Sequence, residues 1–275
     1  MNDAGPAYVL GSDRHELERL DQQAAAIGPA TRLLLRAAGI EPGMRVLDLG
    51  TGPGHVALML AEMVGPSGAV VGVDQAAAAL TVARRRAQEL VLGNVRFVQA
   101  DATAWRDDEP FDAVVERLLL FHTRDPVAVV RHHAAGLRPD GLVACIDFDV
   151  GGARTFPAGP LVTQVAGWLE AGFRHGGADP TVGARLALIL KAAGLRDVGG
   201  FGVVAYLAPD DPSGPRFIAG VTRSLLPVIT AAGIATADEI GLETLEERIG
   251  EEMRSTDAVF MPATVVGAWG RPGPS

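Results

Sequence analysis

The segment Val46-Leu47-Asp48-Leu49-Gly50-Thr51-Gly52-Pro53-Gly54-His55 decides how this chain folds. A short apolar run ends in G-x-G-x-G, and His55–Val64 (HVALMLAEMV) follows with helical spacing. A continuous apolar run bounded by glycine is how a strand buried on both faces reads. Glycines at its carboxyl end let the backbone turn tightly and approach a ligand with no Cβ in the way. The spacing also discriminates between ligands. A dinucleotide fingerprint requires G-x-G-x-x-G, and His55 stands where its third glycine should be. A phosphate loop requires Gly-Lys-Ser/Thr, which is absent here.

Outward from this segment the same rhythm repeats. Strands are expected at 69–74 (AVVGVD), 95–101 (VRFVQAD), 111–116 (FDAVVE) and 142–148 (LVACIDF), with helices at 77–90 and 126–137 between them. Arg84, Arg85 and Arg86 are expected on the wet side of the first of these helices, and His132 and His133 at solvent or flanking the sheet. Alternation across residues 44–149 predicts an α/β fold with a parallel sheet covered on both faces. Upstream, residues 14–37 read as two helices divided at Gly28-Pro29. Downstream, helices are expected at 161–174, 181–193, 216–231 and 236–254. Strands are expected at 201–208 and 258–269, with Pro262 marking a bulge or a late start. Three parts follow: 1–42 as a helical lid, 43–150 as the ligand-binding core, and 151–275 completing the sheet and adding helical insertions.

Composition narrows the function. With 24 Lys and Arg against 33 Asp and Glu, the net charge is −9, which argues against a broad nucleic-acid footprint or a polybasic membrane surface. No run approaches 18 uncharged apolar residues, and the N-terminus lacks a signal-peptide pattern, so the expected location is cytoplasmic. Cys145 is the single cysteine, which excludes a disulfide framework and a cysteine metal cluster; no metal site is expected. The oligomeric state is open.

Three acids, Asp48, Asp74 and Asp101, fall at three successive strand ends. Asp74 can accept from both hydroxyls of a ribose, or cap the next helix. Asp101 can accept from an exocyclic adenine amine while a backbone N–H at Ala102 meets a ring nitrogen, or Asp101 can cap the following turn. His122, just past the fourth strand, is a candidate base that would titrate near neutrality, or it packs and caps. Asp147 and Asp149 either face the cleft or end the fifth strand.

These segments resemble the class I S-adenosylmethionine-dependent methyltransferases: VLDLGTGPG their first motif, VVGVD the acidic strand, FVQADA the adenine-side segment. Tyr8-Val9-Leu10-Gly11-Ser12, Gln23 and FDAVVERLLLFHTRDP further resemble a bacterial group of small-molecule methyltransferases. Glu116 departs from that group, which often carries glycine there. The resemblance implies a Rossmann-like seven-stranded sheet, mostly parallel with an antiparallel last strand, under helical insertions that cap an acceptor site. It implies S-adenosylmethionine as cofactor. Gly50, Thr51 and Gly52 would lie along its methionine and ribose, and Asp48 would bind the cofactor with them. Asp74 and Gln75 would hold the ribose, and Asp101 and Ala102 the adenine. Tyr8, Gln23 and Arg117 would surround the methionine end. The implied activity is methyl transfer to O, N or C of a small molecule. A nicotinamide-dependent oxidoreductase and a non-catalytic nucleoside-binding protein are the alternatives.

Overall fold

The computed structural model describes residues 14–273, with side chains from Arg19 onward. Tyr8 lies outside the described residues. Seven strands form one sheet in the order β3-β2-β1-β4-β5-β9-β7. Its parallel half is β1 (Arg45–Leu49), β2 (Ala69–Asp74), β3 (Val95–Gln99), β4 (Phe111–Arg117) and β5 (Leu137–Asp149). The strand β9 (Thr264–Pro272) runs antiparallel to both neighbours, β5 and β7 (Leu195–Val203). The expected seven-stranded, mostly parallel sheet with an antiparallel last strand is therefore present.

Successive strand residues bury on opposite faces. Val46, Val70, Ala144 and Ile146 meet α1 (Arg14–Ala38) and α2 (His55–Val64). Leu47, Val71, Val114 and Cys145 belong to the core beneath α4 (Pro126–Ala134) and α6 (Val182–Ala192). The remaining core helix, α3 (Ala77–Glu89), follows β2. Burial on both faces explains why these strands read as unbroken apolar runs.

Several boundaries differ from the sequence expectation, each for a local reason. The helix α1 is continuous through Gly28-Pro29. Pro29 lies on its exposed side, while Ile27, Thr31, Leu34, Leu35 and Ala38 form a buried stripe. Thr31 Oγ1 donates to the Ile27 carbonyl at 2.9 Å, and Leu34 fills the space above Gly267, where a Cβ would lie 2.8 Å from its Cδ2. Packing on the sheet thus overrides the proline signal. The sixth strand of the sheet, β7, is Leu195–Val203, not 201–208. Its glycines weaken the strand signal, yet they permit close approach: a Cβ on Gly200 would stand 2.5 Å from the Gly267 carbonyl oxygen. The segment 258–269 divides at Pro262, which has no N–H for the ladder. Its first part, β8 (Val259–Met261), pairs with β6 (Arg154–Phe156) in a separate ribbon. Helix 236–254 divides at Gly241, whose φ is +55°, into α8 (Ala237–Ile240) and α9 (Leu242–Ser255).

The insertions come together over the carboxyl edge of the sheet. The helices α5 (Pro160–His175), α7 (Ser213–Ala231) and α9 pack on one another beside the β6–β8 ribbon. Glu252 of α9 fastens them, its carboxylate oxygens accepting from the Leu161 N–H at 2.8 Å and the Val162 N–H at 3.0 Å in the first turn of α5. A carboxylate in that position satisfies orphan N–H groups and complements the helix dipole.

Candidate active site

The loop after β1 is built from three glycines with positive φ: Gly50 at +66°, Gly52 at +50° and Gly54 at +87°. Gly54 is required by packing, since a Cβ there would lie 2.9 Å from the Ala83 Cβ. At Gly52 a Cβ would meet nothing within 4 Å. Thr51 is buried. It donates its N–H to the Val73 carbonyl at 3.0 Å, and its side chain occupies the space left by Gly72.

At the end of β2, Asp74 ties this loop to the next helix. Its Oδ2 accepts from the Gly52 N–H at 2.8 Å and its Oδ1 from the Ala76 N–H at 2.8 Å. A carboxylate offers about four acceptor sites, so each oxygen keeps capacity for a further donor. Asp101 lies two residues past the end of β3, and its Oδ1 accepts from the Thr103 N–H and hydroxyl at 2.9 and 2.7 Å. That is the turn-capping role the sequence left open. Ala102 is fixed from behind by His133, whose ring Nε2–H donates to the Ala102 carbonyl at 2.8 Å. His133 is buried rather than solvent-facing, and burial pushes its pKa down to about 4.

Gly50, Thr51, Gly52, Asp74, Gln75, Asp101, Ala102, Gln23, Arg117 and His122 all line one cavity of about 1270 Å³. That exceeds the roughly 300–1,000 Å³ of a site for one drug-sized ligand. Asp48 does not reach the wall. It is buried beneath the loop, and burial pushes its pKa up to about 7 against the pull of the Arg117 guanidinium. Its Oδ2 and the Thr51 hydroxyl have no hydrogen-bond partner among the described residues. Arg117, itself held down to about 10 by burial, donates to Thr31 Oγ1 at 3.3 Å. The Arg117 guanidinium at one end of a glycine wall and the Asp74 carboxylate further along fit a ligand with a carboxylate at one end and hydroxyls further along.

His122 lines the cavity with its ring edge-on to Phe121, the centroids 5.1 Å apart. It does not titrate near neutrality: burial pushes its pKa down to about 4, so the ring is neutral at pH 7.

The loop carrying His122 is held by two acids that the sequence reading did not assign. Glu116 Oε2 accepts from the Leu119 and Leu120 N–H groups at 3.2 and 3.3 Å, and Asp147 Oδ2 accepts from the Phe121 N–H at 3.0 Å. Asp147 therefore does not face the cleft; its side chain is wholly buried under the loop. Burial pushes both acids up, and Glu116 raises Asp147 further. Between them Leu118 is left-handed at φ +61°, a conformation costly for a leucine. Glu116 thus stands as a fixed acceptor for consecutive backbone donors.

Two further features were missed. Asp21 of α1 pairs with Arg86 at 2.7 Å and with His55 at 2.8 Å, anchoring α1 over the glycine loop; Arg86 is half-buried rather than wet. His132 lines the cavity with its Nε2 buried and unpartnered among the described residues. The Asp21 cluster depends on residues from separate helices meeting, which no local pattern encodes. On the far wall, Leu169 and Phe173 of α5 and Phe217 and Ile218 of α7 face the cavity, while Trp168, Leu225 and Leu226 pack into the core.

Several known proteins are similar to this chain. Residues 40–171 match the family model described as a methyltransferase domain. The ubiquinone/menaquinone biosynthesis C-methyltransferase UbiE of Ectopseudomonas mendocina is 34% identical over 136 residues, 49% of this chain and 51% of that protein. A demethylmenaquinone methyltransferase of Lactococcus lactis is 33% identical over 114 residues, 41% of this chain and 45% of that one. The chain thus spans about half the length of these relatives. Among solved structures, the YcgJ protein of Bacillus subtilis superposes with a TM-score of 0.54 at 22% identity, covering 88% of this chain and 97% of its own. A Haemonchus contortus phosphoethanolamine N-methyltransferase, solved with phosphomonomethylethanolamine and S-adenosylhomocysteine, gives 0.54 at 20% identity, covering 89% of this chain and 53% of its own. At such identities the likeness is one of fold. Together with the sequence match, it makes residues 40–171 similar to known methyltransferase domains in sequence and in fold.

Proposed function

We propose that this protein transfers a methyl group from S-adenosylmethionine to a small-molecule acceptor. The observation that carries the reading is the convergence of three neighbouring strand ends, β1, β2 and β3, on one cavity that continues under the helical cap. The bound cofactor supplies an electrophilic methyl on a positively charged sulfur.

The chain's own residues bind, orient and exclude water. Asp74 accepts from the ribose hydroxyls with the capacity its backbone donors leave free. Gln75 and Gly52 border the same ring. Asp101 and Ala102 meet the adenine, with the Ala102 backbone held by His133. Gly50, Thr51, Gln23 and Arg117 enclose the methionine end, and Asp48 supports Arg117 from behind. Tyr8 would close this end from the N-terminal lid of residues 1–42, over the core of 43–150 and beside the cap of 151–275. Holding two reactants in line supplies on the order of 7–11 kcal/mol in favourable cases. His122 is neutral at pH 7 and takes the acceptor's proton as the new bond forms.

Calorimetric titration with S-adenosylhomocysteine tests the reading, with NAD as the control ligand. Binding of the first and no heat from the second is expected. Asp74→Ala removes two hydrogen bonds to a charged acceptor, each worth about 1.5–3 kcal/mol, so affinity should fall roughly 10²–10⁴-fold with the far-UV spectrum retained. An unchanged affinity in a folded variant refutes the ribose assignment.

A further inference from the structure

The cavity is two-faced. Its cofactor side carries every lining carboxylate among the described residues, and each of these already has backbone partners. Asp74 holds Gly52 and Ala76, Asp101 holds Thr103, and Asp125 caps α4 through the Ala128 N–H at 2.9 Å. The cap side is different. The lining residues from α5, α7 and β8 are apolar except Ser224, and none is acidic. Phe173, Phe217 and Phe260 give this wall three rings, and Phe121 meets Phe173 edge-on with centroids 5.0 Å apart. The cationic lining side chains are Arg19, Arg117 and Arg124. The acids beneath the floor, Glu116 and Asp147, direct their bonded oxygens at the Leu119, Leu120 and Phe121 N–H groups, and burial favours their neutral forms.

An alkylammonium brought to this wall would lose water and gain no counter-ion, a penalty of several kcal/mol. A flat apolar molecule would instead bury its faces against aromatic rings, a pairing favourable beyond the area covered. From the charge and shape of this wall we infer that the acceptor is an apolar, ring-bearing molecule with a phenol- or enol-type nucleophile rather than an aliphatic amine. The inference rests on the methyl-transfer reading and narrows it.

The chemistry balances. A lone pair on the phenolic oxygen, or the π pair that this oxygen pushes onto the conjugated carbon, forms the bond to methyl as the carbon–sulfur bond breaks, and that bonding pair stays on sulfur. The proton passes to a ring nitrogen of His122 and from there to solvent. The products are the methylated acceptor and S-adenosylhomocysteine.

The full chain saturated with S-adenosylhomocysteine should be titrated with 2-naphthol and with 2-naphthylmethylamine, which share one apolar frame. Naphthol is expected to bind at least about tenfold tighter, the least that an uncompensated charge of several kcal/mol produces. Phe217→Ser should weaken naphthol severalfold and leave S-adenosylhomocysteine affinity within about twofold. Equal or tighter binding of the amine, or binding of neither, overturns the inference. Failure of S-adenosylhomocysteine to bind in the first titration overturns the cofactor reading instead, so the two failures are distinguishable.

Discussion

The two sides of the cavity are made from different materials. The cofactor side is built from main chain: positive-φ glycines at 50, 52 and 54, and carboxylates locked by backbone N–H groups at the ends of neighbouring parallel strands. The acceptor side is built from side chains on inserted helices, held by a few polar ties such as Glu252 on the first turn of α5. A backbone-built surface constrains which residues can stand at fixed positions. A side-chain surface constrains only their apolar character, and many sequences satisfy it.

The sharpest way to break this contrast is within the glycine loop itself. Gly54→Val forces a β-branched residue into φ +87° and drives its Cβ to 2.9 Å from the Ala83 Cβ. Overpacking at about 1–3 kcal/mol plus left-handed strain of about 1–2 should lower Tm on the order of 10 °C. Gly52→Ala meets no neighbour, and only the backbone preference opposes it, at about 1 kcal/mol. Its methyl would stand on the cavity wall. Thermal melts and calorimetry should therefore separate the two: the Gly54 variant loses stability first, and the Gly52 variant loses S-adenosylhomocysteine affinity first. If Gly52→Ala binds as the parent does, the loop is a turn and not a ligand wall.

On the other side, Glu252→Gln leaves one of two backbone donors facing an amide nitrogen. Losing a charge-assisted bond should loosen the cap by about 1.5–3 kcal/mol. Faster amide hydrogen exchange across 160–175 is expected, with S-adenosylhomocysteine affinity within about twofold of the parent. A parallel fall in that affinity would mean that the two sides are energetically one unit.

The same contrast governs what could be read from the sequence. Strands β1 to β5 and their glycines were legible because burial on both faces demands apolar runs and positive φ demands glycine. The edge of the sheet was harder. Gly199, Gly200 and Gly202 argue locally against a strand, and only the close approach of β9 explains them. Pro29 argued for a helix break that the buried stripe of α1 overrode. Of the strand-end candidates, Asp74 and Asp101 fell together on the cavity. Asp48 and Asp147 turned out to lie beneath it, because residue spacing places a side chain on a face but not at a depth. The Asp21–Arg86–His55 cluster joins three helices and leaves no mark in any one of them.

The smallest expected effect concerns the acids under the floor. Burial raises the Glu116 carboxyl above the value of 4.5 it has when exposed in the unfolded chain. The folded state then holds a proton that the unfolded state releases, and stability falls as pH rises from about 4.5 through about 7. Cys145 and Asp147 face the same carboxyl, and Asp147 is pushed up partly by it. Glu116→Gln has no proton to release, still presents an oxygen to the Leu119 and Leu120 N–H groups, and relieves Asp147. Its Tm should therefore fall less than that of the parent between pH 5 and pH 8, by roughly 2–4 °C for each kcal/mol removed. The buried His122 and His133 act in the opposite sense, since their depressed values remove stability as pH falls from about 6.5 toward about 4. Both proteins share that contribution, so it cancels in the difference. Parallel Tm–pH curves would mean that Glu116 is already ionised beneath the loop. The floor of the acceptor side would then be negatively charged, removing part of the case against a cationic acceptor.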